Sequence, residues 1–90
     1  MKIVLTNHAR FEAQRRDIQV EQIEAVIRDP QQSVASGGER VVLQSKYYDN
    51  IVGKEMLLRV FGKRTATGFK VITVYKTSKI SKYWQGGRKK

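Results

Sequence analysis

The chain of 90 residues contains no cysteine, a single histidine, His8, and a single proline, Pro30. Without cysteine there is no disulfide framework, no thiolate nucleophile and no thiolate-bound zinc. One histidine cannot supply a metal site of the usual His-rich kind, so neither a metal nor a cofactor is expected. Long apolar runs are also missing. The run Ile3-Val4-Leu5 is too short for the hydrophobic region of a signal peptide, and nowhere do enough apolar residues follow one another to span a bilayer. A soluble, cytoplasmic protein without a membrane partner is expected. Nucleophile-elbow and phosphate-binding glycine motifs are lacking as well, and Gly37-Gly38 reads as a turn.

Acidic residues run out halfway along. Up to Gly53 seven bases face seven acids, whereas from Lys54 onward eleven bases face Glu55 alone, so the formal net charge of +10 is a property of the second half. Clustered Lys and Arg release condensed counterions from phosphates, and such an asymmetry points to a nucleic acid or to an acidic protein partner. The plainer alternative is a solvated basic face that keeps the protein soluble.

The periodicity predicts one α+β domain over residues 1–85, in the order β-α-α-β-β-β, with residues 86–90 as a flexible basic tail. Lys2 to Thr6 alternates as a short strand, and Thr6 or Asn7 can cap a helix over His8 to Arg16. Val20, Ile23, Val26 and Ile27 place a second helix before Pro30, and Gln31 to Gly38 reads as loop. Strands are expected over Arg40–Tyr47, Glu55–Phe61 and Phe69–Tyr75, joined as a meander by Asp49-Asn50 with Gly53 and by Lys63 to Gly68. The expected architecture is an antiparallel sheet of about four strands with both helices on one face.

The stretch Phe69–Trp84 begins as a strand, with Phe69, Val71, Thr73 and Tyr75 on one side, and continues with a base at every third position, Lys76, Lys79 and Lys82. If Met56, Leu58 and Val60 face the helices, the other face carries Leu57, Arg59 and Phe61 beside Thr73 and Tyr75. A basic and aromatic sheet face suits stacking on bases combined with phosphate contact. Alternating aromatics are equally ordinary strand formers. Arg59 between apolar neighbours either serves a ligand, or snorkels or pairs with Glu55 at the sheet surface.

His8-Ala9 opening the first helix, Arg16 and Ile18 at its end, Leu57-Leu58-Arg59-Val60, and the run from Val71 to Ile80 followed by Lys82-Tyr83-Trp84 together resemble the bacterial and archaeal family called domain of unknown function 4258. That family looks related to the RelE/ParE-like toxins of toxin–antitoxin systems. The resemblance implies a RelE-type fold, RNA as substrate and an acidic antitoxin as partner. Many members carry an arginine four residues after the histidine. Here that position is Glu12, which leaves any phosphate contact at this end to Arg15 or Arg16.

Metal-independent RNA cleavage needs a base for the 2′-hydroxyl proton, cations for the charged phosphorane and an acid for the leaving 5′-oxygen. His8 is the one side chain with an ordinary pKa near neutrality, and Tyr75, Lys79 or Tyr83 are the alternatives. Arg16 and Arg59 are the candidates for phosphorane charge, because a guanidinium grips phosphate oxygens as a fork. The candidate catalytic set is therefore His8, Arg16, Arg59, Tyr75 and Lys79; Arg15, Lys70, Lys76, Lys82, Tyr83 and Trp84 are candidates for holding RNA. The expected function is a toxin-like, metal-independent endoribonuclease, with a non-catalytic binding module for nucleic acid or acidic protein as the alternative.

Overall fold

The computed structural model describes residues 1–86. Its elements are β1 (Lys2–Leu5), α1 (Asn7–Arg15), α2 (Val20–Arg28), β2 (Gln32–Ala35), β3 (Arg40–Asp49), β4 (Lys54–Arg64), β5 (Gly68–Thr77) and α3 (Ile80–Tyr83). They form a small α+β domain around one sheet of order β1-β5-β4-β3-β2.

Local chemistry sets the helix limits. Thr6 is the N-cap of α1: its Oγ1 accepts the Ala9 N–H at 3.0 Å and donates to the Ile72 carbonyl at 3.2 Å, so one side chain starts the helix and ties it to β5. Asp17, at φ 57°, makes the left-handed turn just after α1, a conformation aspartate tolerates better than most residues. A capping box opens α2, in which the Gln22 side chain accepts the Gln19 N–H at 2.9 Å.

The helices bury Ala9, Ala13, Ile23, Val26 and Ile27 against Leu43, Leu58, Val60, Phe69, Val71 and Val74 of the sheet. Each fully buried aliphatic side chain there contributes about 1.5–3 kcal/mol. Because strand residues alternate, Gln44, Leu57, Arg59 and Tyr75 point to the other face.

Four expectations need correction. The sheet has five strands and is mixed, because β1 lies parallel to β5 while the other pairs are antiparallel. The additional strand is β2, inside the segment read as loop, where it pairs Gln32 with Gln44 and Val34 with Val42. Phe69, Val71, Thr73 and Tyr75 do not share a face: Phe61 opposes Thr73 while Gly62 opposes Val71, so Ile72 is an extra residue and the strand changes parity there. After β5 the chain forms a further helical turn, α3. The expected tail falls, from Gly87 on, outside the described residues. Among the described residues no helix is long and apolar enough to cross a membrane.

Candidate nucleic-acid interface

Cross-strand register builds a row of polar side chains on the face away from the helices. Gln32 opposes Gln44, Gln44 opposes Arg59, and Arg59 opposes Tyr75, one residue from each of β2, β3, β4 and β5. Arg59 Nε donates to Gln44 Oε1 at 2.8 Å and its Nη1 donates to Tyr75 Oη at 2.6 Å. A guanidinium only donates, so the Gln44 oxygen must face it and the Gln44 amide nitrogen must face away. That nitrogen donates to Gln32 Oε1 at 2.8 Å and to the Tyr83 carbonyl at 3.2 Å. The direction of the whole row follows from the charge at one position.

α3 and the two residues after it close over this row. The Tyr83 ring lies 4.3 Å from Arg59 Cζ, and the Trp84 ring 4.1 Å from Lys46 Nζ. Gln32 takes the Gln85 N–H at 3.0 Å and returns a bond to the Gln85 carbonyl at 2.7 Å. Beneath this cover Gln44 is fully buried and Arg59 is 8% exposed.

Among the described residues no carboxylate balances Arg59. The ion pairs among the described residues join Glu12 to Arg15 and Arg16, and Asp49 to Lys76. Glu55 takes no part. The guanidinium is held instead by an amide, a phenol and the faces of Phe61, Tyr75 and Tyr83. A nearly buried cation with no counter-ion is suited to receive an anion.

The two phenols beside it are driven apart. Burial pushes the Tyr75 hydroxyl up, with Arg59 opposing the shift, while Tyr83 is brought down by the neighbouring Tyr75 hydroxyl and by the charges of Lys82 and Arg59. Tyr75 thus holds its proton more firmly than Tyr83 does. Further along the same face Lys63 lies directly opposite Lys70, a like-charge pair that an anion would relieve.

The other candidates are distributed elsewhere. His8 and Arg16 belong to the α1 layer, on the side of the sheet opposite Arg59, and Arg15 and Arg16 both bond Glu12 at 2.8 Å. Those two guanidiniums already hold a carboxylate, which is pulled to about 2 by Arg15 first and Arg16 second. Lys76 bonds Asp49 at 3.1 Å on the helix side. Lys79 and Lys82 are exposed at the two ends of α3. Sequence reasoning brought Arg59, Tyr75, Tyr83 and Trp84 into one region, and missed Gln32, Gln44, Lys46 and Lys63. The signal for Gln44 was a lone amide following Val41-Val42-Leu43 inside a strand pattern.

Fold and site define a small α+β domain with a cationic and aromatic sheet face under a C-terminal cover. The family model described as domain of unknown function 4258 matches residues 5–76, and the chain belongs to that family. No curated protein matches it, nor does any solved structure.

Proposed function

We propose that this chain is a toxin-like RNA-binding protein of RelE/ParE kind, acting in the cytoplasm as a metal-independent endoribonuclease restrained by an acidic antitoxin. The observation that carries this is Arg59, a nearly buried guanidinium with no carboxylate partner among the described residues, bonded to the Tyr75 hydroxyl and covered by the Tyr83 ring. In the reaction Tyr83, in its phenolate form, takes the 2′-hydroxyl proton and becomes the neutral phenol, and the 2′-oxygen attacks phosphorus. Arg59 stabilises the phosphorane charge, and Tyr75 or Lys79 protonates the departing 5′-oxygen. The products are a 2′,3′-cyclic phosphate and a 5′-hydroxyl. His8 and Arg16 have no part in this scheme, since α1 lies across the sheet from Arg59.

Incubation with RNA in chelator tests it. Wild type is expected to cleave, and Arg59→Ala to lose about a hundredfold or more in rate. Absence of cleavage by wild type, or unchanged cleavage by Arg59→Ala, overturns the catalytic assignment.

A second reading, binding without chemistry, is favoured by the cover itself, because Arg59 lies under Tyr83 with little exposure. It gives steeply salt-dependent binding of RNA that stays intact.

A further inference from the structure

The cover over Arg59 is held by few and mostly solvent-exposed contacts. No residue of α3 is buried. What fixes the segment is the Gln32 amide on the Gln85 backbone, the Gln44 amide on the Tyr83 carbonyl, and two rings laid on Arg59 and Lys46. Each of these contacts occupies a group that a nucleic acid would use. Tyr83 sits on the guanidinium, Trp84 on an ammonium, and backbone amide and carbonyl groups on two glutamines able to bond base edges.

We infer that Ile80–Gln85 is a latched lid, fastened by Gln32, and that RNA reaches Arg59 only in molecules whose lid has opened. This rests on the RNA reading above and adds its regulation. A phosphate needs free N–H groups of Arg59 and an approach path; only two of the five N–H groups are engaged, by Gln44 and Tyr75, but the Tyr83 ring laid on the guanidinium restricts the path. The association rate therefore scales with the open fraction, which the latch sets. Closure afterwards returns Tyr83 to Arg59, so the same segment gates entry and completes the site.

Gln32→Ala and Gln85→Pro loosen the latch without changing charge or replacing Arg59, Tyr75 or Tyr83. The first removes both bonds to Gln85 together with the bond from the Gln44 amide, whereas the second removes the Gln85 N–H donor and leaves the Gln32–Gln44 bond in place; Trp84, at ψ 128°, already has the extended backbone that precedes proline. Trp84 is the only tryptophan, so its quenching by acrylamide reads the lid directly. Both variants are expected to increase that quenching and to raise the association rate constant for a single-stranded oligoribonucleotide by about three- to tenfold, the equivalent of one or two hydrogen bonds. Increased quenching with an unchanged rate overturns the gate, and unchanged quenching in both variants overturns the latch. Failure of wild type and both variants to bind RNA overturns the RNA reading and the gating role with it.

Discussion

Arg59 donates from Nη1 to the Tyr75 hydroxyl at 2.6 Å, joining β4 to β5 through side chains as well as through the ladder. Gln44 holds the same guanidinium from the other side at 2.8 Å. Replacing Arg59 with methionine keeps the stem and removes the donor, which leaves the fully buried Gln44 oxygen without its partner. The expected cost is about 1–3 kcal/mol in urea denaturation. RNA affinity is expected to fall about tenfold or more, because a charge-assisted bond to phosphate disappears. Arg59→Lys should recover little affinity, because an ammonium cannot serve Gln44, Tyr75 and a phosphate in one plane.

The two layers of the domain should respond differently to charge removal. Lys46 and Lys63 lie on the open face, and alanine at either is expected to reduce the salt slope of single-stranded RNA binding by about 0.7 for each phosphate that is no longer neutralised. His8→Ala and Arg16→Ala should leave slope and affinity nearly unchanged, since α1 lies behind the sheet. Titrations at several salt concentrations distinguish the layers, and a large effect at Arg16 would place RNA on the helix side.

Acid should weaken the fold through two carboxylates. Asp49 is pulled down to about 2 by the Val52 N–H, then Lys76 and the Ile51 N–H, against the opposing effect of burial. Its contribution to stability is fully present above its ordinary value of 3.8 and is lost as the pH falls toward about 2. Glu12 behaves alike between 4.5 and about 2. Thermal denaturation across this range should show the loss, and Asp49→Ala should remove most of it on the hairpin side. At the alkaline end burial, followed by the Asp49 charge, pushes Tyr47 up to about 12, so its contribution is lost as pH rises from 10 toward 12.

Much of this domain was legible because its signals are local. The stripe Val20, Ile23, Val26, Ile27 with Pro30 gave α2, and alternation gave most of β3, β4 and β5. The missing parts depend on partners distant in sequence. Gln32–Ala35 has no strand signature of its own and becomes β2 by bonding to β3. Parallel pairing of β1 with β5 spans most of the chain, and the extra residue at Ile72 interrupts a run that alternates without a break. In the site, Arg59 and Tyr75 were found by parity, but Gln44 gains its role from a register that sequence does not state. His8 and Arg16 were chosen by chemical type, and topology places them in the other layer.

Two glycines test how tightly the sheet is assembled. A Cβ on Gly68 would run into the backbone of Lys2, and one on Gly62 into the Lys70 carbonyl and the Phe69 ring. Gly68→Ala is expected to cost about 2–3 kcal/mol by prying β1 from β5. Gly38→Ala meets nothing and should cost only about 1 kcal/mol, from its left-handed backbone at φ 59°. Urea midpoints of the two variants give the comparison.

The parallel pairing of β1 with β5 also governs when the molecule can come into being. Lys2 to Leu5 emerge during synthesis well before their partners, Gly68 to Val71. Until those residues have been made, the apolar stripes of α1 and α2 have only part of the sheet to cover, and Thr6 has no Ile72 carbonyl to bond. A nascent chain stalled before β5 therefore lacks both its first strand's partner and Tyr75. The sheet and the row around Arg59 are therefore completed late, as expected where the closing contacts join segments far apart in the chain.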